Sequence, residues 1–329
     1  MPVLTARVPT SSWLLDAPFG RWKPRKRLLT VNGDVGWLVM EIVSPITFFL
    51  SATSILSSQP LSLSLANLLR HFSLIEHVKR FTGLPIARFV LGTMFIVHYA
   101  NRAVISTLRN PGRQRMHVSV PLSAIGFNLM NGFLMGSFIG STPLLSSITN
   151  ASSSIQGVQQ GYETAFMLGI VLWAFGLAGN IYADEVLYDL KRAKQRQPKT
   201  SKATESNDPK DRYSIPRGPL YDWPLGGMSH PSYTLEWLEW TGYLVASLAL
   251  VQSPLFSNSL AGQAASAVTR VPQQVQLLTN GWYTTPPALF LFNEVAAMLP
   301  RALSGHRWYK KTFKEDWPKE RSVVIPKLL

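Results

Sequence analysis

Cysteine is absent from all 329 residues. That absence excludes disulfides, thiolate zinc sites, iron–sulfur clusters and a cysteine nucleophile together. The histidines, at 71, 77, 98, 117, 230 and 306, include no H-x-x-x-H pair, so the sequence indicates no metal site. Neither G-x-G-x-x-G nor G-x-x-x-x-G-K-[ST] occurs, which removes the Rossmann and P-loop nucleotide signatures. The nearest approach to a nucleophile elbow, Gly227-Met228-Ser229-His230-Pro231, lacks its closing glycine. Met1–Phe19 lacks the apolar core of a secretory signal peptide, so targeting falls to the first membrane span.

Acidic residues are scarce, 18 against 32 Lys and Arg, and the chain carries a net charge of +14. Such a balance is compatible with nucleic acid, but its distribution argues otherwise. Basic residues cluster at Arg21–Arg27, Arg109–Arg115, Lys191–Arg217 and Arg307–Lys327, each beside an apolar stretch. No zinc-finger, RRM or basic-zipper signature accompanies them, so no nucleic-acid partner is expected.

What the chain does have is long apolar runs. A helix crosses the hydrocarbon layer with about 20 mainly apolar residues, and six stretches qualify: 37–57, 86–107, 118–141, 164–187, 237–257 and 283–303. The expected fold is therefore an all-α polytopic transmembrane bundle. Segment 60–78 carries Arg70, His71, Glu76 and His77 and reads as interfacial or re-entrant. Lys and Arg number five in 21–27, three in 109–115, nine in 188–217 and seven in 305–329, against three in 58–83, none in 142–163 and one in 258–282. With six spans these two groups fall on opposite sides, and the positive-inside rule puts both termini in the cytoplasm. The sequon Asn150-Ala151-Ser152 falls in the loop without basic residues. Residues 1–36 read as a basic cytoplasmic segment, 37–304 as the bundle and 305–329 as a cytoplasmic tail. Within the bundle, 193–212 is expected to be mobile and the insert 257–282 irregular.

The polar residues inside these runs are the candidates for chemistry, because an ionisable group in a span costs several kcal/mol and faces a bundle interior, a cavity or the interface. Glu41 lies in Trp37–Ser57, His98-Tyr99 and Arg102 in Ile86–Ser106, and Asn180 and Asp184 near the end of Phe166–Leu187. A carboxyl in a low-dielectric site favours its neutral form and can donate a hydrogen bond. With the Tyr99 phenol it can grip a carbonyl oxygen and stabilise charge forming there. The alternative is that Glu41 pairs with Arg102 or a backbone group for packing alone. Asn180 and Asp184 share one helix face, as a ligand site or as a polar collar. Glu236 and Glu239 open the fifth span, where acids complement the positive helix end. Arg301, His306, Arg307 and Tyr309 follow the last span and suit phosphate binding, or anchoring among lipid headgroups with Trp308.

Several blocks, in order, resemble the steroid 5α-reductase family. They are Phe19-Gly20-Arg21, Trp37 through Glu41, His98-Tyr99 with Arg102, Asn110-Pro111-Gly112-Arg113, Asn131-Gly132, Gly176 to Asn180 with Asp184, Tyr213, Ile215-Pro216-Arg217-Gly218, Tyr233, Glu236 and Glu239-Trp240. The tail completes them with Pro300-Arg301-Ala302, His306-Arg307-Trp308-Tyr309, Phe313, Pro318, Arg321 and Ile325-Pro326. The resemblance implies an endoplasmic-reticulum membrane oxidoreductase that reduces a carbon–carbon double bond conjugated to a ketone, with NADPH, on a steroid or other enone lipid. It implies that Glu41 and Tyr99 hold the enone carbonyl. It implies that Arg113, Asn180, Asp184, Tyr213, Glu236, Arg301, His306 and Tyr309 surround the cofactor.

Departures from the family pattern are also present. Only 18 residues precede Phe19-Gly20, where relatives usually carry another membrane helix. Ser232 stands where an asparagine is usual, and Met135 where a glutamine is. Two other readings follow: a long-chain enoyl-thioester reductase, and a catalytically silent lipid-binding homologue.

Overall fold

The computed structural model describes residues 29–54, 73–140, 153–196, 213–222, 227–252 and 282–328. It is an all-α membrane helix bundle. A short strand β1 (Thr30–Val31) leads into α1 (Gly33–Ser54), followed by the nine-residue α2 (Leu74–Thr82) and by α3 (Ile86–Tyr99). A π-helical segment, Ala100–Ile105, and a last turn α4 (Ser106–Arg109) continue α3. Strand β2 (Met116–His117) pairs antiparallel with β1. Then come α5 (Ser119–Gly140), α6 (Ser153–Arg196), α7 (Pro231–Gln252) and α8 (Pro286–Phe313). Gly33–Thr53, Ile86–Arg109, Ser119–Gly140 and Gly161–Arg196 are long and apolar enough to cross a membrane. α7 and α8 have the length, 22 and 28 residues, but carry more polar groups.

Two helix pairs form the frame, each joined through glycine. On α5, Gly132, Gly136 and Gly140 recur every fourth residue, and a Cβ on any of them would collide with α1 backbone at Ser44, Phe48 or Ala52. On the other side, Gly169 and Gly176 of α6 and Gly242 of α7 meet the partner backbone in the same way. Small residues let helices approach closely where lipid offers no hydrophobic drive for association. Aromatic rings close the space between the pairs. Phe48 stacks on Phe95 at 4.2 Å, Phe95 meets Trp240 at 6.0 Å, and Trp240 meets Phe290 at 4.4 Å, linking α1, α3, α7 and α8.

Two differences from the sequence reading concern boundaries. The fourth span was expected to end at 187 and the mobile loop to begin at 193, yet α6 runs to Arg196. Its last turns dock on the 109–113 loop. Arg192 pairs with Glu185 at 2.7 Å and donates to the Arg109 carbonyl, while Lys191 donates to Asn110 and to the Gly112 carbonyl. Gln195 donates to the Pro111 carbonyl at 2.8 Å. The second difference is the π segment, which no apolar periodicity signals. Residues 55–72, the sequon at Asn150, the loop 197–212 and most of the 257–282 insert lie outside the described residues.

Candidate functional site

The site forms where α1, the π segment and α7 converge. α1 contains Pro45, whose missing N–H cannot bond the carbonyl four residues earlier, that of Glu41. The π segment rearranges the turn that carries Arg102, as single wide turns do at many functional sites. The Arg102 carbonyl accepts the Trp37 indole N–H at 3.0 Å, while the Arg102 and Arg113 guanidinium groups lie over the Trp37 ring at 5.4 and 4.7 Å.

Arg102 is the hub. Its Nε reaches Glu41 Oε1 at 3.2 Å and its Nη1 reaches Glu236 Oε1 at 2.6 Å. Both carboxylates are buried, so the two bonds are charge-assisted and little screened. Next to them, His98 Nδ1 pairs with Glu239 Oε1 at 2.7 Å, and His98 Nε2 faces Glu236 Oε1 at 3.9 Å. Asn180 lies beside the Glu239 carboxylate. Glu41 thus accepts from Arg102, one of the pairings the sequence left open.

Tyr99 is held from the other side. Its oxygen accepts from Asn131 Nδ2 at 2.9 Å, and the same amide donates to Ser44 Oγ at 3.2 Å. One turn earlier on α5, Asn128 donates to the Met40 carbonyl at 2.6 Å. Because the phenol accepts from an amide, its own proton remains available to donate. Asp184, Tyr233 and Glu294 each lie within electrostatic reach of Arg102 and Glu236, so they surround this cluster.

The other sequence candidates divide into two places. Asn180, Asp184, Glu236 and Arg113 belong to this interior, with Asp184 within electrostatic reach of Glu236, Arg102 and Arg113. Arg113 bonds Asp34 at 3.3 Å and Ser106 at 2.9 Å. Arg301, exposed on α8, lies in the field of Tyr233 and Glu294. His306, Tyr309 and Tyr213 instead belong to a C-terminal layer beyond the spans. Tyr309 stacks on Trp317 at 4.8 Å, Tyr213 meets Trp308 edge-on at 5.0 Å, and His306 Nδ1 bonds Ser229 Oγ. Burial, then the charges of Lys310 and Arg321, push the His306 imidazole down to about 4. In the same layer the buried Arg321 pairs with Asp222 at 2.6 Å. Burial alone would raise the Asp222 carboxyl, but the Gly218 N–H and the Arg321 and Arg217 guanidinium groups hold it below its ordinary value. Tyr221 joins the two places, donating to the Ala183 carbonyl at 3.1 Å and lying in the field of both Asp184 and Tyr309.

Glu294, Ser44 and Asn128 were not singled out from the sequence. For Glu294 the signal was present: an ionisable residue within the apolar stretch 283–303, the same criterion that selected Glu41. Among the described residues no cluster of three or more metal-ligating side chains occurs.

A bundle that gathers an arginine, four glutamates and a tyrosine between its helices matches a known sequence family. The model of 3-oxo-5-alpha-steroid 4-dehydrogenase matches residues 114–268 and 277–329. The chain belongs to this family. An uncharacterised protein of Schizosaccharomyces pombe is 30% identical, covering 96% of this chain and 92% of its own length. A steroid 5-alpha-reductase of Gossypium hirsutum is 26% identical over 96% of this chain and 90% of its own. A 3-oxo-5-alpha-steroid 4-dehydrogenase 1 of Bos taurus is 23% identical over 96% and 89%. Membership in the 3-oxo-5-alpha-steroid 4-dehydrogenase family makes this a membrane protein of an oxidoreductase class.

Proposed function

We propose that the protein reduces the carbon–carbon double bond of an enone lipid, a 3-oxo-4-ene steroid, with NADPH, in the endoplasmic-reticulum membrane with both termini cytoplasmic. The observation that carries the reading is the convergence of the Tyr99 phenol and the Arg102–Glu41–Glu236 cluster inside the bundle, in a chain of this family. Tyr99 donates to the enone carbonyl. Arg102, anchored by Glu41 and Glu236, places positive charge where negative charge develops on that oxygen, and a low-dielectric site strengthens the effect. Glu41 and Tyr99 act as a pair: the glutamate fixes the cation, and the phenol supplies the proton-bearing oxygen.

NADPH fits the residues present. Its phosphates need cations, which Arg113 and the exposed Arg301 supply, and its amide needs hydrogen-bonding partners, which Asn180 and Asp184 offer. Glu236, Tyr213, His306 and Tyr309 would complete its surroundings. When bound it supplies the hydride. The chain's own residues orient the carbonyl, exclude water and compensate charge. Basic loops flanking the spans support the orientation.

The test is oxidation of NADPH by purified, detergent-solubilised protein in the presence of 3-oxo-4-ene steroids. Steroid-dependent oxidation with a saturated product supports the reading. Folded protein that binds no NADPH refutes it.

A further inference from the structure

Glu294 has no part in the reading above, yet it sits beside the site. It lies within α8, inside the last apolar stretch, and forms no hydrogen bond or ion pair with the described residues. Phe290, Glu294, Met298 and Ala302 recur every fourth residue, so they share one face of the helix. Phe290, Met298 and Ala302 are buried, and the Phe290 ring meets Trp240 and Phe127. Glu294 is therefore on the face turned into the bundle. It lies within electrostatic reach of Tyr99 and Arg102 from the second span, Glu41 from α1, Glu236 from α7 and Arg301 on its own helix. It also keeps some accessible surface.

The charges around that cluster do not balance if every acid is ionised. Glu239 is taken up by His98, which leaves Glu41, Glu236, Glu294 and Asp184 around the Arg102 and Arg301 guanidinium groups. An uncompensated carboxylate in a dry site carries a large penalty, and such groups take up a proton instead. Glu41 and Glu236 are bonded to the Arg102 guanidinium, and Asp184 has Arg113 within electrostatic reach as well. Glu294 forms no such bond, so it is the member of the set that holds the proton.

We propose that Glu294 is the proton donor that completes the reduction, an assignment that rests on the enone-reductase reading. Hydride adds to the β-carbon, and the π electrons of the double bond shift to give an enolate whose oxygen Tyr99 and Arg102 stabilise. The enolate carbonyl re-forms as the α-carbon takes the proton of the Glu294 carboxyl, whose O–H electrons remain on the carboxylate. A solvent proton entering past Arg301 restores the acid. Glu294 is then a catalytic residue, and because it approaches from α8 alone, it protonates one face of the α-carbon.

The test compares the parent protein with Glu294→Gln and Glu294→Asp in heavy water, with NADPH and a 3-oxo-4-ene steroid. The configuration of deuterium at the α-carbon is read early in turnover. The parent places deuterium on one face. E294Q forms product at least about tenfold more slowly, as loss of a general acid predicts, and labels both faces. E294D keeps the one-face label. E294Q product labelled on one face at the parental rate overturns the proposal. A parent that reduces no enone overturns the reductase reading itself, which is a different result.

A cofactor-free readout is independent of turnover. The infrared band of a protonated carboxyl at neutral pH is lost in E294Q and shifted in E294D. If the band persists unchanged in either, the proton resides elsewhere and the proposal fails.

Discussion

Replacing Arg102 by methionine removes the one cation bonded to both Glu41, at 3.2 Å, and Glu236, at 2.6 Å. The two glutamate side chains are only 7% and 4% exposed, so water does not replace the lost partner. Breaking a buried pair by removing one member costs about 3–5 kcal/mol, and two stranded carboxylates place R102M near the upper end. At roughly 2 °C per kcal/mol for a large chain, Tm falls by about 10 °C. Arg102→Lys keeps one charge, but a single ammonium cannot reproduce a guanidinium bonded through two separate nitrogens. It loses one charge-assisted bond, about 1.5–3 kcal/mol, and Tm falls by roughly 3–6 °C. The triple variant R102M/E41Q/E236Q removes the stranded charges and recovers most of the loss. The assay is thermal unfolding of detergent-solubilised protein followed by tryptophan fluorescence. R102M melting within about 1 °C of the parent refutes the hub role.

Two further outcomes concern the layer beyond the spans and the helix frame. His306 is held neutral in the fold, with its value lowered from 6.5 to about 4, so the unfolded chain binds the extra proton first and stability is lost as pH falls between those values. Tm measured against pH should drop more steeply in that window for the parent than for His306→Gln, and parallel profiles would contradict the assignment. Gly136→Leu forces a side chain into the Phe48–Ser51 backbone. Overpacking costs about 1–3 kcal/mol or more, so Tm falls by several degrees, whereas Gly126→Leu, where a Cβ meets open space, leaves Tm unchanged.

Much of the bundle was legible in the sequence because its apolar stretches are long, carry few charges and alternate between basic and non-basic connections. Glu41, Tyr99 and Arg102 stood out because ionisable groups are rare at that depth. Their mutual arrangement was not readable. Arg102 reaches Glu41 and Glu236 together from a π turn, and nothing in Ala100–Ile105 announces that conformation. Glu236 and Glu239 read as helix-opening acids, whereas the fold turns them inward to Arg102 and His98, because α7 packs against α3 through Trp240. The glycines at 132, 136 and 140 mark a helix contact in plain sequence, but a search for apolar periodicity passes over them. The extension of α6 to Arg196 was not read because its last turns are polar and their contacts with the 109–113 loop are remote in sequence.

The measurement that tests the central claim most directly is a single-turnover comparison of the parent, Tyr99→Phe and Glu41→Gln, mixed with NADPH and a 3-oxo-4-ene steroid and followed by cofactor absorbance. Losing a donor to a developing oxyanion costs about 10²–10³ in rate. Tyr99→Phe should show that loss while still binding NADPH, and Glu41→Gln should be slowed as well because Arg102 loses an anchor. If both variants oxidise NADPH at the parental rate in a steroid-dependent way, Tyr99 and the Arg102 cluster do not hold the carbonyl, and the account is wrong.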